Sequence, residues 1–273
     1  MRRLFRFSKE LVKRFNEHEV AGLAAQLAYF FLLSIFPFMI FLVALMAYLP
    51  ISIENVKNTL DNYVPRDALE LITNNLEAKN GGLLSFGIIA TLWSASNGIN
   101  SIMRAFNRAY EVGENRSFLK SRLLSIFLTV AMLIVIVVAL LLPVFGKAIG
   151  VYIFSKFGVS AGFLDTWEAL RWIISSAILL FVLSVLYILA PNHHVNIKQV
   201  LVGSLFATVC WQIVSLGFSV YVNLSAARYS ATYGSLGGVI ILMIWFYLSG
   251  LIIILGAEIN AMLKARKVFK KSG

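Results

Sequence analysis

The chain has 273 residues, of which 59% are hydrophobic and 14% are charged, against about 45–50% and 25% in ordinary soluble domains. This composition excludes a water-soluble globular fold. The sequence also lacks a P-loop, a nucleotide-binding fingerprint and a His-Glu-x-x-His motif, so we expect no enzyme activity, no cofactor and no metal site. Lys and Arg outnumber Asp and Glu by 24 to 13, which makes the position of the charges the main evidence on orientation.

Residues 2–20 predict a basic amphipathic helix. Leu4, Leu11 and Phe15 share one side of it, and most of its arginines and lysines lie elsewhere. A helix of this kind lies in the headgroup plane of an anionic inner leaflet. A solvated arm that only fixes the topology is the alternative interpretation.

About six apolar stretches reach the roughly 20 residues that a helix needs to cross a hydrocarbon core about 30 Å thick. They cover residues 25–49, 83–103, 123–145, 170–190, 197–222 and 236–262. Between the first two, residues 51–82 predict a short helical hairpin broken at Pro65. The predicted fold is therefore an all-α integral membrane protein: one membrane domain of about six transmembrane helices, with an N-terminal amphipathic helix and an extracytoplasmic helical hairpin.

The charges are divided unequally between the two sides of this bundle. Basic residues concentrate in the N-terminal arm, in residues 104–122 and in the C-terminal tail, whereas most acidic residues lie in the first and third loops. Positive charge favours the cytoplasmic side of a membrane. We therefore expect a multi-pass protein of the cell membrane with both termini in the cytoplasm. Its one cysteine, Cys210, falls in the fifth predicted span, where packing is the expected role.

The second predicted span ends in a polar stripe that changes from neutral to cationic side chains. On a helical wheel the stripe fits within about 80°. Its members are Ser94, Asn97, Ser101, Arg104 and Arg108. One interpretation is an interfacial helix end whose arginines extend toward the headgroups. The other is a path that hands an anionic headgroup to the inner surface.

The fifth predicted span carries a second polar stripe, within a sector of about 100°. Its members are Ser204, Thr208, Gln212, Ser215, Ser219 and Asn223. Close helix packing accounts for small polar residues at such positions, and a wet cavity or substrate path is the alternative. We expect the two stripes to line one cavity as a substrate path or binding site.

Glu258 is the only acid within the six predicted spans. It lies about 13 Å from the middle of the last span, toward the cytoplasm. A carboxylate at that depth needs a cation or a proton. We predict an intramembrane ion pair with Arg104 or Arg108, with proton coupling as the alternative.

Three runs carry a family resemblance: residues 21–37 (AGLAAQLAYFFLLSIFP), 106–122 (FNRAYEVGENRSFLKSR) and 233–261 (YGSLGGVIILMIWFYLSGLIIILGAEINA). They resemble the YihY or BrkB-like family of bacterial inner-membrane proteins. The resemblance implies a six-span protein; some members are linked to lipid or lipopolysaccharide export and to serum resistance, and the family once carried the label ribonuclease BN. The matching motif residues here are Tyr29, Ser34, Pro37, Asn107, Arg108, Tyr110, Tyr233, Gly234, Glu258 and Asn260.

The leading hypothesis is a transporter or flippase-like protein for a lipid or another anionic amphiphile. Its expected partners are membrane lipids and the anionic inner leaflet, without nucleic acid, and the small residues in the spans permit contacts between protomers of a homo-oligomer. A non-transporting membrane scaffold is the first alternative. An RNA-processing enzyme is disfavoured, because the sequence shows no His/Asp cluster that would hold a metal ion to activate water.

Overall fold

The computed structural model describes residues 2–46, 81–132, 162–233 and 236–269, and every regular element in these ranges is helical. The predicted hairpin lies outside them, except for Gly81 and Gly82, with which a helix begins. Residues 133–145 of the third predicted span also lie outside. The all-α class is confirmed.

Seven helices make up the described ranges. In chain order they are α1 (Arg2–Glu17), α2 (Val20–Met46), α3 (Gly81–Ala109), α4 (118–132), α5 (Gly162–Leu189), α6 (Ile197–Tyr233) and α7 (Leu236–Phe269). The turn between α1 and α2 is sharp because Glu19 adopts a positive φ of 53°, a conformation that non-glycine residues seldom take.

Among the described residues, four helices are long and apolar enough to cross a membrane: Val20–Phe41, Gly81–Ala109, Ile197–Val222 and Leu236–Ala265. They correspond to the first, second, fifth and sixth predicted spans. The fourth predicted span matches a shorter apolar helix, Ile173–Leu189. The total of six spans stays a prediction.

The helices pack in the order α3, α2, α7, α6, α5, with α3 also touching α7. Buried apolar side chains concentrate where α2 and α6 begin and where α3, α5 and α7 end, around Phe106, Tyr187 and Ile254. We call this end of the bundle, which also carries α1, the α1 end. Toward the opposite end α6 exposes Ile213, Leu216 and other large apolar residues on its sides, as expected for helices in contact with lipid.

Two glycines allow α5, α6 and α7 to approach closely at the α1 end. A Cβ at Gly203 would overlap the carbonyl oxygen of Gly256, and a Cβ at Gly256 would overlap the hydroxyl of Tyr187. That hydroxyl donates a hydrogen bond to the carbonyl oxygen of Ile253, at 2.8 Å. Small residues at such crossings are typical of packed membrane helices.

The predicted N-terminal helix is present as α1. Phe15 packs against the buried core, while Phe5 and Val12 are exposed. Contacts join α1, residues 110–117, residues 190–196 and the last turns of α7 at the same end of the bundle. The structure thus places the last turns of α7 at the same end as α1, and the side of the membrane that this end faces stays a prediction.

We expect the α1 end to face the cytoplasm, because it carries the basic arm and the basic loop. The test replaces Cys210 with alanine and introduces a single cysteine, either N115C or D61C. In intact cells an impermeant maleimide should label D61C at once, and N115C only after the membrane is permeabilised. The reverse labelling pattern would show the opposite orientation.

Candidate functional site

The carboxylate of Glu258 is fully buried and lies in an ionic cluster at the α1 end. His18 Nδ1 donates to Glu258 Oε1 at 2.5 Å, and Arg14 Nε lies 3.3 Å from Glu258 Oε2. Arg14 Nη2 also donates to Glu111 Oε1 at 2.5 Å and to the carbonyl oxygen of Ala109 at 3.2 Å. The cluster therefore ties α1 to the ends of α3 and α7.

The predicted pairing of Glu258 with Arg104 or Arg108 is wrong. Both arginines lie on the exposed side of α3, whereas Glu258 is buried against the turn that follows α1. Arg108 donates instead to Glu19 Oε2, at 3.1 Å, and to the carbonyl oxygen of Glu17, at 3.0 Å. The side chains that fold under α7 are those of Arg14 and His18, which the sequence assigned only to a basic arm.

The polar stripe of α3 is exposed at the α1 end and becomes more buried with distance from that end. Arg108 and Arg104 are exposed, and Ser101 is buried. Arg104 Nη2 donates to Ser101 Oγ at 2.9 Å and to Gln26 Oε1 at 3.3 Å. These contacts are with neutral atoms, so Arg104 keeps a net positive charge on this face.

Arg122, on α4, meets the same face of α3 farther from the α1 end. Its Nη1 donates to Asn97 Oδ1 at 2.6 Å, and its Nη2 donates to the carbonyl oxygen of Trp93 at 3.3 Å. The guanidinium lies 3.9 Å from the centroid of the Trp93 ring, a cation–π contact. Positions 93, 97, 101, 104 and 108 project within about 80° on the helical wheel. Arg108, Arg104 and Arg122 therefore form a ladder of guanidinium groups along one face of α3.

The polar stripe of α6 divides into two halves. Near the α1 end Ser204 and Thr208 are buried and donate to backbone carbonyls of their own helix, at 2.9 and 2.8 Å. Gln212 Nε2 donates to Ser176 Oγ on α5, at 2.5 Å. In this half the stripe packs helices together, as polar residues at helix interfaces commonly do.

Farther along α6 the polar stripe borders a groove between α6 and α7. The groove has a volume of about 480 Å³ and is lined by Ser215, Phe218, Ser219, Gly238, Ile241, Leu242 and Trp245. Ser215 Oγ is buried without a hydrogen-bond partner, and Ser219 is exposed. The side chain of Asn223 lies outside the described residues.

The stripes of α3 and α6 make separate contacts in the described part of the chain. The first bonds to α2, α4 and the turn after α1, and the second bonds to α5 and to its own backbone. No hydrogen bond joins the two stripes within the described ranges. The expected single cavity is therefore not seen there, and the α3 face and the α6–α7 groove are two distinct surfaces.

Comparison with known proteins gives the family. The family model described as virulence factor BrkB matches residues 11–273. The chain belongs to the BrkB family. It is similar to the ribonuclease-like protein YfkH of Bacillus subtilis, with 55% identity over 265 residues and 96% of each chain covered.

More distant relatives carry the name UPF0761 membrane protein. The relative from Photobacterium profundum is 30% identical over 268 residues, covering 96% of this chain and 82% of that protein. The relative from Vibrio parahaemolyticus is 29% identical over 268 residues, covering 94% and 82%. No solved structure matches. The resemblance to the BrkB family is confirmed, and with its long apolar helices the chain is a multi-pass membrane protein.

The BrkB-family motif after α3 joins two loops at the α1 end. Asn107 is buried; its Nδ2 donates to Glu114 Oε2 at 2.8 Å, and its Oδ1 accepts from the backbone N–H of Asn192 at 2.6 Å. Arg116 Nη1 donates to the carbonyl oxygen of Ala190 at 3.0 Å. These bonds fasten residues 110–117 to the end of α5, so this part of the motif is structural.

Tyr110 and His193 lie at the same end, beside Lys264 of α7. Lys264 Nζ donates to His193 Nε2 and lies 5.7 Å from the centroid of the Tyr110 ring. Burial raises the pKa of Tyr110. Burial lowers the pKa of His193, and the positive charges of Lys264 and His194 lower it further. The lowered pKa favours the neutral form of His193, whose Nε2 accepts a hydrogen bond from the ammonium group of Lys264.

Among the other BrkB-family motif residues, Asn260 makes a contact between two helices. Asn260 is buried on α7, and its Oδ1 accepts from the backbone N–H of Gly203 at 2.7 Å. Ser34 donates to the carbonyl oxygen of Phe31, at 2.7 Å. Pro37 lies inside α2, and Tyr29 is exposed on the same helix. The side chain of Tyr233 and the whole of Gly234 lie outside the described residues.

Sequence reasoning missed the two buried arginines, although each leaves a signal in the sequence. Arg2, Arg6, Lys9 and Lys13 share a narrow stripe of α1, whereas Arg14 projects about 100° away from that stripe, toward the apolar side. Arg122 is followed by Ser125 and Thr129, at a spacing that places all three on one face of α4. All three are buried.

Proposed function

We propose that this BrkB-family protein moves a lipid or another anionic amphiphile across the cell membrane, without hydrolysing ATP itself. The observation that supports the proposal is the ladder formed by Arg108, Arg104 and Arg122 along one face of α3. In this proposal the α1 end faces the cytoplasm, and an anionic headgroup travels along the ladder.

The ladder offers positive charge at successive depths. Asn97, to which Arg122 donates, lies about 16 Å from Arg108 along the helix axis. Moving a charged headgroup into hydrocarbon is costly unless protein groups replace its water. Arg108 and Arg104 are exposed on this face, and Trp93, beside Arg122, is 59% exposed. A headgroup could therefore approach the ladder from the side, while its chains stay in lipid.

The groove between α6 and α7, which lies away from the α1 end, also supports the proposal. Its walls are mainly apolar, and Ser215 and Ser219 add hydroxyl groups. Apolar walls with a few polar atoms suit an amphiphile. We propose that this groove holds the amphiphile after its headgroup has left the ladder.

Helix α1 fits the same orientation. Phe5 and Val12 are exposed on one side of the helix, next to exposed Lys9 and Lys13. Such a surface would lie on an anionic inner leaflet, with the apolar side chains in the acyl boundary and the lysines at the phosphates.

Transport in liposomes tests the proposal. Wild-type protein should move a fluorescent phosphatidylglycerol across a sealed bilayer, and the double variant R104Q/R108Q should move it at least about tenfold more slowly, because two charge-assisted contacts are lost. The matched control is K120Q/K198Q, which removes two exposed charges that lie off the ladder and should keep most of the rate. Gln212→Leu tests the α6 stripe and should be close to neutral, because that part of the stripe packs helices.

The non-transporting scaffold is supported by a different observation, the internal hydrogen bonds that occupy Asn97, Ser204 and Thr208. Folded wild-type protein that moves no lipid would favour the scaffold. The name of YfkH raises an RNA-processing alternative. Within the described ranges no group of three or more His, Cys, Asp or Glu residues could hold a metal ion, and RNA cleaved by the purified protein would favour that alternative instead.

A further inference from the structure

Arg122 is a buried cation whose described partners are all neutral. The residue is 9% exposed, and its guanidinium bonds to an amide oxygen, to a backbone carbonyl and to the face of Trp93. Its Nε is buried without a hydrogen-bond partner. No described carboxylate lies within 4.0 Å of it.

Comparison with Arg14, the other buried arginine of the described residues, shows that Arg122 lacks a carboxylate partner. Arg14, with a side chain 10% exposed, has two carboxylate partners, Glu258 and Glu111. A buried charge without a counter-ion is unfavourable. Arg122 thus has a positive charge without a described counter-ion and one N–H group without a hydrogen-bond partner.

We propose that Arg122 and Trp93 form a binding site for the phosphate group of a phospholipid. A phosphodiester carries one negative charge and accepts several hydrogen bonds, which matches a guanidinium with an unused donor. A carboxylate at this depth would tend to take up a proton, whereas a phosphodiester stays ionised. The chemistry of the site therefore favours phosphate.

The surroundings of the site favour a lipid over free phosphate. The face of α3 that carries Trp93 continues toward the opposite end of the bundle with Phe86 and Ile89, which are 59% and 66% exposed. This exposed apolar strip begins beside the guanidinium and offers a surface along which acyl chains can lie. Inorganic phosphate would gain nothing from it. The inference rests on the proposed function, because the site lies on the proposed headgroup path. Lipid binding to Arg122 can nevertheless be measured without any transport.

The test is native mass spectrometry of the purified full-length protein in detergent, with phosphatidylglycerol or diacylglycerol of the same chains. Wild-type protein should retain phosphatidylglycerol at least about tenfold better than diacylglycerol, and R122Q should lose that preference. The control K120Q removes the same charge from an exposed side chain two residues away and should bind as the wild type does. Inorganic phosphate at millimolar concentration should not displace the lipid.

Three results would overturn the site: equal retention of both lipids by the wild type, full retention of phosphatidylglycerol by R122Q, or displacement by inorganic phosphate alone. If R122Q does not fold, the site is tested instead by crosslinking a photoactivatable phosphatidylglycerol to the wild-type protein. Its adducts should map to residues 89–97 or 118–125, and adducts only elsewhere would contradict the proposal. If wild-type protein binds the lipid at Arg122 but moves none in liposomes, the binding site is supported and the transport proposal is contradicted.

Discussion

Replacing Glu258 by glutamine should lower the free energy of unfolding by about 3–5 kcal/mol, the usual effect of removing one partner from a buried ion pair. The variant keeps the shape of the side chain but leaves the guanidinium of Arg14 without its buried counter-ion, and it removes the charge that faces His18. Thermal unfolding in detergent, followed by the loss of monodisperse protein, measures the effect.

The matched control for this variant is E19Q. Glu19 forms an exposed ion pair with Arg108 at 3.1 Å, and exposed pairs contribute about 0–1 kcal/mol. E19Q should therefore unfold close to the wild-type temperature. Equal stability of E258Q and E19Q would show that the buried cluster does not hold α1 against α7.

Gly256→Ala should destabilise the protein by about 3 kcal/mol, near the upper end of the usual cost of overpacking. The added methyl group would overlap the hydroxyl of Tyr187 and come within 3.0 Å of the carbonyl oxygen of Gly203. Relief of the overlap requires Tyr187 to give up its hydrogen bond to Ile253 or requires α6 and α7 to separate. The same thermal unfolding experiment measures the loss.

Gly217→Ala is the control, because nothing lies within 4 Å of a Cβ at Gly217. Alanine is favoured over glycine within a helix by about 1 kcal/mol, so this variant should be as stable as the wild type or slightly more stable. A Gly256→Ala protein as stable as this control would contradict the close crossing of α5, α6 and α7.

The sequence was enough to predict the helical class and the first, second, fifth and sixth spans, because each is an apolar run of spanning length. It also identified α1 from its charge pattern. Boundaries were less exact: α3 continues to Ala109 and α7 to Phe269, beyond their predicted ends. The extra turns are polar and protrude from the apolar part of each helix, where hydropathy gives no signal for a helix end.

The partners of Glu258 could not be predicted, because sequence distance gives no information on which basic residue folds under α7. Arg104 and Arg108 were the nearest cations by depth, but they lie on the exposed side of α3. The helical wheel showed that Asn97, Arg104 and Arg108 share one face of α3. It could not show that α4 brings Arg122 to Asn97. The separation of the α3 and α6 stripes likewise depends on the helix order, since α2 and α7 are packed between them.

The ionic cluster also has a consequence for the order in which the chain is made. His18 and Glu258 are 240 positions apart, so Arg14 and His18 leave the ribosome long before the buried carboxylate that contacts both of them. Until the last helix has been inserted, Arg14 has only the exposed Glu111 and the carbonyl oxygen of Ala109 as described partners, and His18 lacks its carboxylate. Insertion of α7 then completes the cluster, and a chain truncated before it should leave α1 loosely held at the membrane surface.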